Sequence, residues 1–377
     1  MDMLNRDDRI GAYLRSHTDD FVFDELSENY LKKAELTEVL TGVPVPIRKT
    51  ELNSISTLAI ARNMAFIMGC DPRFKYRENY IAFIMKFFDQ RFAQGLIADG
   101  VEAAQRNEFE YACIQFRAAM VIDPSSIDAV YCYGRACKDV YENGEEEDLI
   151  ARFKAESIEA FEEVTLRKPD FAESYYFLGY GYINLGLYVK AKLTWEEFVK
   201  LSGDEEKKKE IRERLALLKE PVEIEEGYNM ILSGRMAEGA EILSKYTDSR
   251  FSDWWPLWYY LGVAHKGMNM AEEAIDDFLK VLRLSPSNTD TMKELVKLYE
   301  AAGDEEKAEK YRKKAALVVE NVEKDRLEAM AGKNEKVDFL NEIGSMVQSQ
   351  KEENQMLRRK KAENRLDEPA LNVEVEK

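Results

Sequence analysis

The residues that could perform acid–base or nucleophilic chemistry are few in this sequence. Only two histidines occur, His17 and His265, so a Ser-His-Asp or Cys-His arrangement has almost no candidate base. His265 lies in an apolar stretch at helical spacing, which favours a packed, hydrogen-bonded histidine over a general base or a metal ligand. Carboxylates number 72, so pairs at helical spacing arise by chance and identify no catalytic site. We therefore expect a protein that is not an enzyme.

Thiols and glycine-rich loops lead to the same expectation. The four cysteines lie in apolar or helical runs, without the close paired spacing of a zinc site, and are too few for a disulfide framework: Cys70, Cys113, Cys132 and Cys137. Gly262 and Gly267 have the spacing of a phosphate-binding loop, but the Lys-Ser/Thr that should follow is missing. We expect no metal, no cofactor and a reducing, cytoplasmic location.

The charge of the chain argues against two classes of partner. Its net charge of -18 and pI near 4.9 repel nucleic acid and anionic lipid, although such an excess also serves solubility. The most apolar run, residues 57–70, is too short to span a bilayer and contains Arg62 and Asn63. The acidic N-terminus has no signal-peptide layout. Nucleic-acid and membrane partners are therefore not expected.

Two stretches carry the same spaced pattern of large apolar and small residues. In 172–205, one helical face with the spacing i, i+3, i+4 and i+7 is formed by Tyr175, Leu178, Gly179 and Tyr182. A second helical face follows, formed by Ala191, Trp195 and Phe198. In 255–288 the corresponding residues are Trp258, Leu261, Gly262, Ala274, Phe278 and Pro286. Small residues allow two antiparallel helices to approach, and the aromatic residue fills the space beside them. Each stretch is predicted to be a helical hairpin that must stack on others.

These residues resemble the tetratricopeptide repeat family, whose motif is 34 residues long. His265 departs from the usual Tyr and Val281 from the usual Ala, and neither change disfavours a helix. The resemblance implies an all-α, right-handed superhelical solenoid that binds protein partners. Weaker copies extend the array to about six over residues 93–320.

The register of the array predicts the organisation of the whole chain. Pro124 and Pro169 are 45 residues apart, which indicates a long hairpin at 127–171 with its tip at Asn143-Gly144. We predict the following sequence of segments: a partly helical segment at 1–50, with an extended turn at 42–46; a helical N-terminal cap at 51–92; the array at 93–320, with an extra helix at 204–220; a charged C-terminal helix at 321–366; and a disordered tail at 367–377.

In the family's fold, certain positions of each first helix line a concave groove. The resemblance places the following residues there: Tyr131, Arg135, Lys138, Tyr176, Tyr180, Ile183, Tyr259, Lys266, Lys293 and Lys297. Tyrosine provides rigid amphipathic contact and Arg or Lys can meet carboxylates, so we predict a scaffold or adaptor that binds an acidic and apolar peptide or helix. The same residues would equally suit solvated or packing positions. Trp254 and Trp255 are expected to be buried at a repeat junction.

A second interpretation of the function is a structural scaffold that self-associates. Leu340, Ile343 and Val347 begin an a/d seam of a coiled coil, which Gln350 and Asn354 then weaken. A solvated C-terminal helix would fit the same residues. The basic run at 358–361 is read as a solvated charge run.

Overall fold

A computed structural model of the chain describes residues 8–51, 56–89 and 91–331. The chain divides into two compact units, which we call unit 1, up to Gly181, and unit 2, from Tyr182. Helices stacked as consecutive hairpins make up most of both units. The predicted all-α repeat fold is therefore confirmed.

Unit 1 contains the N-terminal elements and the first hairpins. Its elements are α1 (Gly11–Leu14), β1 (Phe21–Asp24), α2 (Glu28–Lys33), α3 (Thr37–Leu40), β2 (Val45–Arg48), α4 (Thr57–Cys70), α5 (Arg77–Phe87), α6 (Arg91–Gln105), α7 (Phe109–Ile122), α8 (Ile127–Asn143) and α9 (Glu147–Arg167), with short 3-10 turns at Arg15–Thr18 and Lys49–Glu51. The next helix, α10 (Ala172–Asn184), carries the boundary between the units. One hydrophobic cluster runs through unit 1 from Ile10 to Val164.

Unit 2 continues the hairpins. Its helices are α11 (Tyr188–Leu201), α12 (Glu205–Leu217), α13 (Lys219–Leu232), α14 (Met236–Ser244), α15 (Trp255–Gly267), α16 (Ala271–Leu284), α17 (Thr289–Ala301) and α18 (Glu305–Ala331). The predicted extra helix corresponds to α12, whose first turn is capped by the Asp204 carboxylate. Pro221 lies in the first turn of α13, where it leaves no intrahelical hydrogen bond unmade.

In several hairpins a glycine of the first helix faces a large side chain of the second. A Cβ built on Gly262 would lie 2.8 Å from the Phe278 ring, and one on Gly100 would lie 2.7 Å from Phe116. Because such distances are too short for real Cβ contacts, only glycine permits this helix separation. The small and aromatic positions of the repeat motif therefore encode close packing, as their spacing predicted.

The long hairpin is formed by α8 and α9, of 17 and 21 residues. The chain turns at Gly144, and α9 begins with Glu147 and Asp148, whose negative charge suits a helix N-terminus. Inside the hairpin, the Ser157 hydroxyl donates a hydrogen bond of 2.8 Å to the Gly134 carbonyl oxygen. Two helices longer than their neighbours therefore remain in contact along the hairpin.

A small antiparallel sheet is the part of unit 1 that the sequence did not predict. Strand β1 pairs with β2 in a register that places Phe21 opposite Arg48 and Phe23 opposite Pro46. The segment expected to be an extended turn thus ends in a strand. Prolines hold this segment extended, and its partner strand lies more than twenty residues earlier in the chain.

The N-terminal segment is tied to the hairpins by a set of ion pairs. Asp8 accepts a hydrogen bond of 2.5 Å from Arg117, a buried side chain of α7. Arg9 contacts Glu159 of α9 at 2.6 Å and Glu156 at 3.4 Å. The partners are 109 to 150 residues apart in sequence, so these contacts depend on tertiary structure alone.

The last hairpin passes into the C-terminal region without a break. Helix α18 has 27 residues and crosses the predicted boundary at residue 321, so the second helix of the last repeat and the start of the C-terminal helix are one element. The predicted seam at Leu340, Ile343 and Val347, the basic run and the tail at 367–377 lie outside the described residues.

Candidate functional site

The clearest repeat, formed by α15 and α16, shows how the sequence positions the candidate binding residues. Leu257, Leu261 and Ala264 are buried at i, i+4 and i+7, which fixes the rotation of α15 about its axis. Tyr259 therefore lies away from that face, half-buried, with its ring 5.9 Å from Phe278. Burial, with the nearby Glu294 and Asp290 carboxylates, raises the pKa of Tyr259, so its hydroxyl stays protonated.

Three predicted lysines of unit 2 are held by carboxylates. Lys266 of α15 pairs with Glu294 of α17, and Lys297 donates a second hydrogen bond of 2.6 Å to the same carboxylate. Lys293 pairs with Asp290 at 2.9 Å. Burial alone would raise the pKa of Glu294, but the hydrogen bonds from the two lysines outweigh it and hold that pKa below its ordinary value.

His265 lies in the same repeat and is a structural residue. Its Nδ1 lies 2.6 Å from an oxygen of the Asp277 carboxylate on α16. Burial raises the pKa of Asp277, and the contact with His265 partly opposes that effect. The pair links the two helices of the hairpin, in agreement with the predicted hydrogen-bonded histidine.

In unit 1 the candidate residues surround one arginine of α8. The Arg135 guanidinium lies 4.5 Å from the centre of the Phe177 ring and donates a hydrogen bond of 3.4 Å to the Tyr131 hydroxyl. Tyr176 is in edge contact with Phe177 on one side and with Tyr180 on the other. Arg135 is exposed and forms no ion pair within the described part of the chain. A cation supported by aromatic rings is therefore presented to solvent.

The two remaining predicted residues are less prominent. Lys138, one turn after Arg135, pairs with Glu142 on the same helix. Ile183 lies in the last turn of α10 and is half-buried. Four of the five predicted cations are thus neutralised within their own unit, so the predicted positions carry less available positive charge than the sequence indicated. Arg135 is the exception.

Sequence reasoning missed three residues of these surfaces. Phe177, which supports Arg135, follows the predicted Tyr176 directly, and Glu294 precedes Lys297 by one helical turn, a spacing at which ion pairs form. Trp255 was expected to be buried but is 38% exposed, next to Tyr259. Trp254 is half-buried against Tyr188 and Phe251.

No group of three or more possible metal ligands occurs among the described residues. The closest pair of thiols is Cys113 and Cys137, whose sulfur atoms lie 3.8 Å apart in the core of unit 1, where burial raises the pKa of Cys137. In the part of the chain that the structure covers, no helix is both long and apolar enough to cross a membrane.

Comparison with known proteins connects the repeat to a family. Residues 256–288, which form most of α15 and α16, match the tetratricopeptide repeat family. A search of curated proteins gave no significant match. Among solved structures, the chain is similar to the TPR domain of P58(IPK), at 15% identity over 73% of this chain and 80% of that chain, with a TM-score of 0.42. It is also similar to MamA from Desulfovibrio magneticus RS-1, at 14% identity over 61% and 96% of the two chains, with a TM-score of 0.25. A third is YrrB, described as a TPR protein with an unusual peptide-binding site, at 15% identity over 57% and 96%, with a TM-score of 0.29.

Proposed function

We propose that this tetratricopeptide repeat protein is a non-enzymatic scaffold that binds an acidic and apolar segment of another protein. The segment contacts the first-helix faces of the repeats, including the residues predicted from the sequence. In unit 1 these are Tyr131, Arg135, Lys138, Tyr176 and Tyr180; in unit 2 they are Ile183, Tyr259, Lys266, Lys293 and Lys297. We place the protein in the cytoplasm.

The observation that carries the proposal is the environment of Arg135. A guanidinium stacked on Phe177 keeps its planar fork of donors available at its edge, which suits a carboxylate better than a flexible ammonium does. The tyrosines around it provide rigid apolar surface that loses little entropy on binding. A segment with an acidic side chain beside apolar ones matches both properties.

The lysines of unit 2 have a smaller role in the same proposal. Because Glu294 already accepts from Lys266 and Lys297, a carboxylate of the partner would have to compete with it. Tyr259 and the exposed Trp255 are therefore the stronger contacts in that unit, through their apolar area. Preference for acidic partners then depends mainly on Arg135.

The test selects peptides by display on the immobilised full chain and measures their affinity by fluorescence anisotropy. Selected sequences are expected to be rich in Asp or Glu next to Leu or Phe. Arg135→Glu should weaken binding by about tenfold to a hundredfold, because a charge-assisted hydrogen bond contributes about 1.5–3 kcal/mol. Reversing the charge of the predicted lysines as well would break their ion pairs within the protein. The single change at Arg135 avoids this side effect.

Lys33→Glu is the matched control, since it makes the same charge change at an exposed position of α2 in the same unit. It should leave affinity unchanged, and far-ultraviolet circular dichroism should show equal helix content in both variants. Selection of basic peptides, or equal weakening by both substitutions, would refute the proposal.

Self-association is a second candidate function, favoured by exposed apolar residues on α18. Val319 and Val322, which are one turn apart, are 56% and 61% exposed. Two such helices from different chains could bury these side chains against each other. The position of α18 at the end of the last hairpin leaves this face outside the core of unit 2.

Light scattering coupled to gel filtration tests this candidate. A mass above that of one chain should fall to the monomer in Val319→Gln/Val322→Gln. If deletion of residues 333–377 alone also gives the monomer, the predicted a/d seam takes part in the association. Leu193→Gln, at an exposed apolar position of α11, is the control and should leave the mass unchanged. A monomeric mass for the unaltered chain at every concentration would rule out self-association.

A further inference from the structure

Unit 1 contains a cavity of about 350 Å³ on residues that none of the groove predictions include. It lies where β2, α4, α6 and α7 meet, and the side chains that matter here are Arg48, Arg62, Phe66, Asp99, Tyr111 and Gln115. A volume of this size suits a small organic molecule. The mixture of cationic, amide and aromatic groups that line the cavity indicates the chemical class of this molecule.

The floor of the cavity carries a polar group without a partner. Gln115 is 4% exposed in the middle of α7, and its side-chain amide forms no hydrogen bond to any described residue. The amide opens onto the cavity, so a polar atom of a bound molecule can replace water as its hydrogen-bond partner. Phe66, 3% exposed, provides an apolar wall beside it.

One arginine of the cavity is available for an anion. The Arg48 guanidinium lies 4.8 Å from the centre of the Phe21 ring and 5.2 Å from that of Phe66. Stacking holds it in position, while its N–H groups have no hydrogen-bond or ion-pair partner in the described part of the chain. Arg62, by contrast, is 3.4 Å from Asp99.

The first turn of α4 adds to the attraction for negative charge. Ser56 caps this 14-residue helix by accepting a hydrogen bond of 3.1 Å from the Ala59 N–H, and both residues line the cavity. The positive end of the helix dipole therefore faces the same space as Arg48. Two arginines against one aspartate leave a local positive charge in a chain whose net charge is -18.

We infer that this cavity binds a small organic anion, with a carboxylate or phosphate group attached to a flat apolar body. Arg48 pairs with the anionic group, and Gln115 donates or accepts a hydrogen bond. Phe66 and Tyr111, whose ring centres are 5.4 Å apart, contact the apolar body. Occupancy would tie β2 and α4, which follow one another in the chain, to the more distant α7.

Isothermal titration of the full chain with three probes tests the inference. Benzoate and phenyl phosphate carry the two candidate anionic groups, and benzyl alcohol is their neutral counterpart. At least one anion should bind saturably with one site per chain, at least tenfold more tightly than benzyl alcohol. The tighter of the two anions identifies whether a carboxylate or a phosphate is preferred.

Substitutions then locate the site. Arg48→Gln should weaken the preferred anion at least tenfold, Arg48→Lys less so because the charge remains, and Gln115→Leu severalfold. Arg73→Gln, on an exposed loop arginine of the same unit, is the control and should bind as the unaltered chain does. Melting temperatures report whether each variant is folded. Because Arg48→Lys keeps the positive charge, a folded Arg48→Lys that binds more tightly than Arg48→Gln would show that the charge, rather than the fold, was lost.

Three results would overturn the inference. These are the absence of saturable binding of either anion, equal affinity for benzyl alcohol, and equal weakening by Arg48→Gln and Arg73→Gln.

Discussion

Replacing Gly69 by alanine should destabilise unit 1 more than any comparable exchange on its surface. Gly69 lies in the last turn of α4, where α4 packs on α7. A Cβ at this position would lie 2.1 Å from the backbone carbonyl oxygen of Ile114 and 2.8 Å from its Cγ2. A tolerable carbon–oxygen contact is about 3.3 Å, so the two helices would have to separate by roughly 1 Å.

The magnitude follows from two opposing effects. Overpacking a core costs about 1–3 kcal/mol, and the upper end applies because a backbone carbonyl cannot rotate out of the way as a side chain would. Alanine recovers up to about 1 kcal/mol through its better helix propensity. The net loss in the free energy of unfolding should be about 2 kcal/mol.

Gly95→Ala is the matched control. Gly95 lies inside α6, is exposed, and has no neighbouring atom within 4 Å of a built Cβ. This exchange should stabilise the chain by about 0.5–1 kcal/mol, because only the propensity effect remains. Urea unfolding followed by circular dichroism gives both values, and hydrogen exchange shows whether protection is lost in α4 and α7. If Gly69→Ala were as stable as the unaltered chain, the close approach of α4 and α7 would be wrong.

Three further substitutions test individual contacts. A hydrogen bond of 2.9 Å from His17 lowers the pKa of Glu110, although burial opposes this effect. The ionised Glu110 therefore adds to the free energy of unfolding above the ordinary pKa of glutamate, and this contribution is lost as pH falls through the lowered pKa. Glu110→Gln should be less stable than the unaltered chain at neutral pH, and this difference should shrink towards about pH 3 in urea titrations at both pH values. Trp195→Ala, at a fully buried position, should lose about 3–5 kcal/mol in the same assay, whereas Leu193→Ala, 59% exposed, should change stability by less than about 0.5 kcal/mol. Burial raises the pKa of Asp277, so the folded state disfavours its ionised form. The contribution of Asp277 to the free energy of unfolding therefore falls as pH rises through the raised pKa. Asp277→Asn should therefore not lower the free energy of unfolding at neutral pH, and a loss above about 1 kcal/mol would contradict this.

The hairpins were predictable because their signal is local. Gly262 and Phe278 occur within one repeat, and the sizes of their side chains determine how closely two consecutive helices can pack. Gly144, between α8 and α9, likewise lies in the predicted tip of the long hairpin. Helical periodicity and turn residues depend on neighbours a few positions away, so one sequence is enough to read them.

The sheet was missed for the opposite reason. Val45–Arg48 is too short to show alternation clearly, and Pro46 is an unusual strand residue. Its partner, Phe21–Asp24, is separated from it by two helices. Pairing between such segments is decided by tertiary packing, which no local pattern reports.

For the candidate groove, the sequence indicated which cations to consider but not which of them are paired with carboxylates. Pairs such as Lys293 with Asp290 and Lys138 with Glu142 have helical spacing and could have been recognised in the sequence. The pair of Lys266 with Glu294 spans 28 residues and joins two different hairpins. The partners of a charged side chain therefore determine how much of its charge remains available, and only the structure identifies the distant ones.

The ion pairs of the N-terminal segment also set an order of events during synthesis. Asp8 and Arg9 are made early, yet their partners Arg117, Glu156 and Glu159 follow 109 to 150 residues later. At about 5–20 residues per second, the wait before Glu159 has been added is roughly 7–30 s. Until Arg117 is added neither charge has its native partner, and Arg9 waits for α9, so α7 to α9 must form before the segment can dock completely. Completion of unit 1 thus depends on the ribosome having passed the long hairpin.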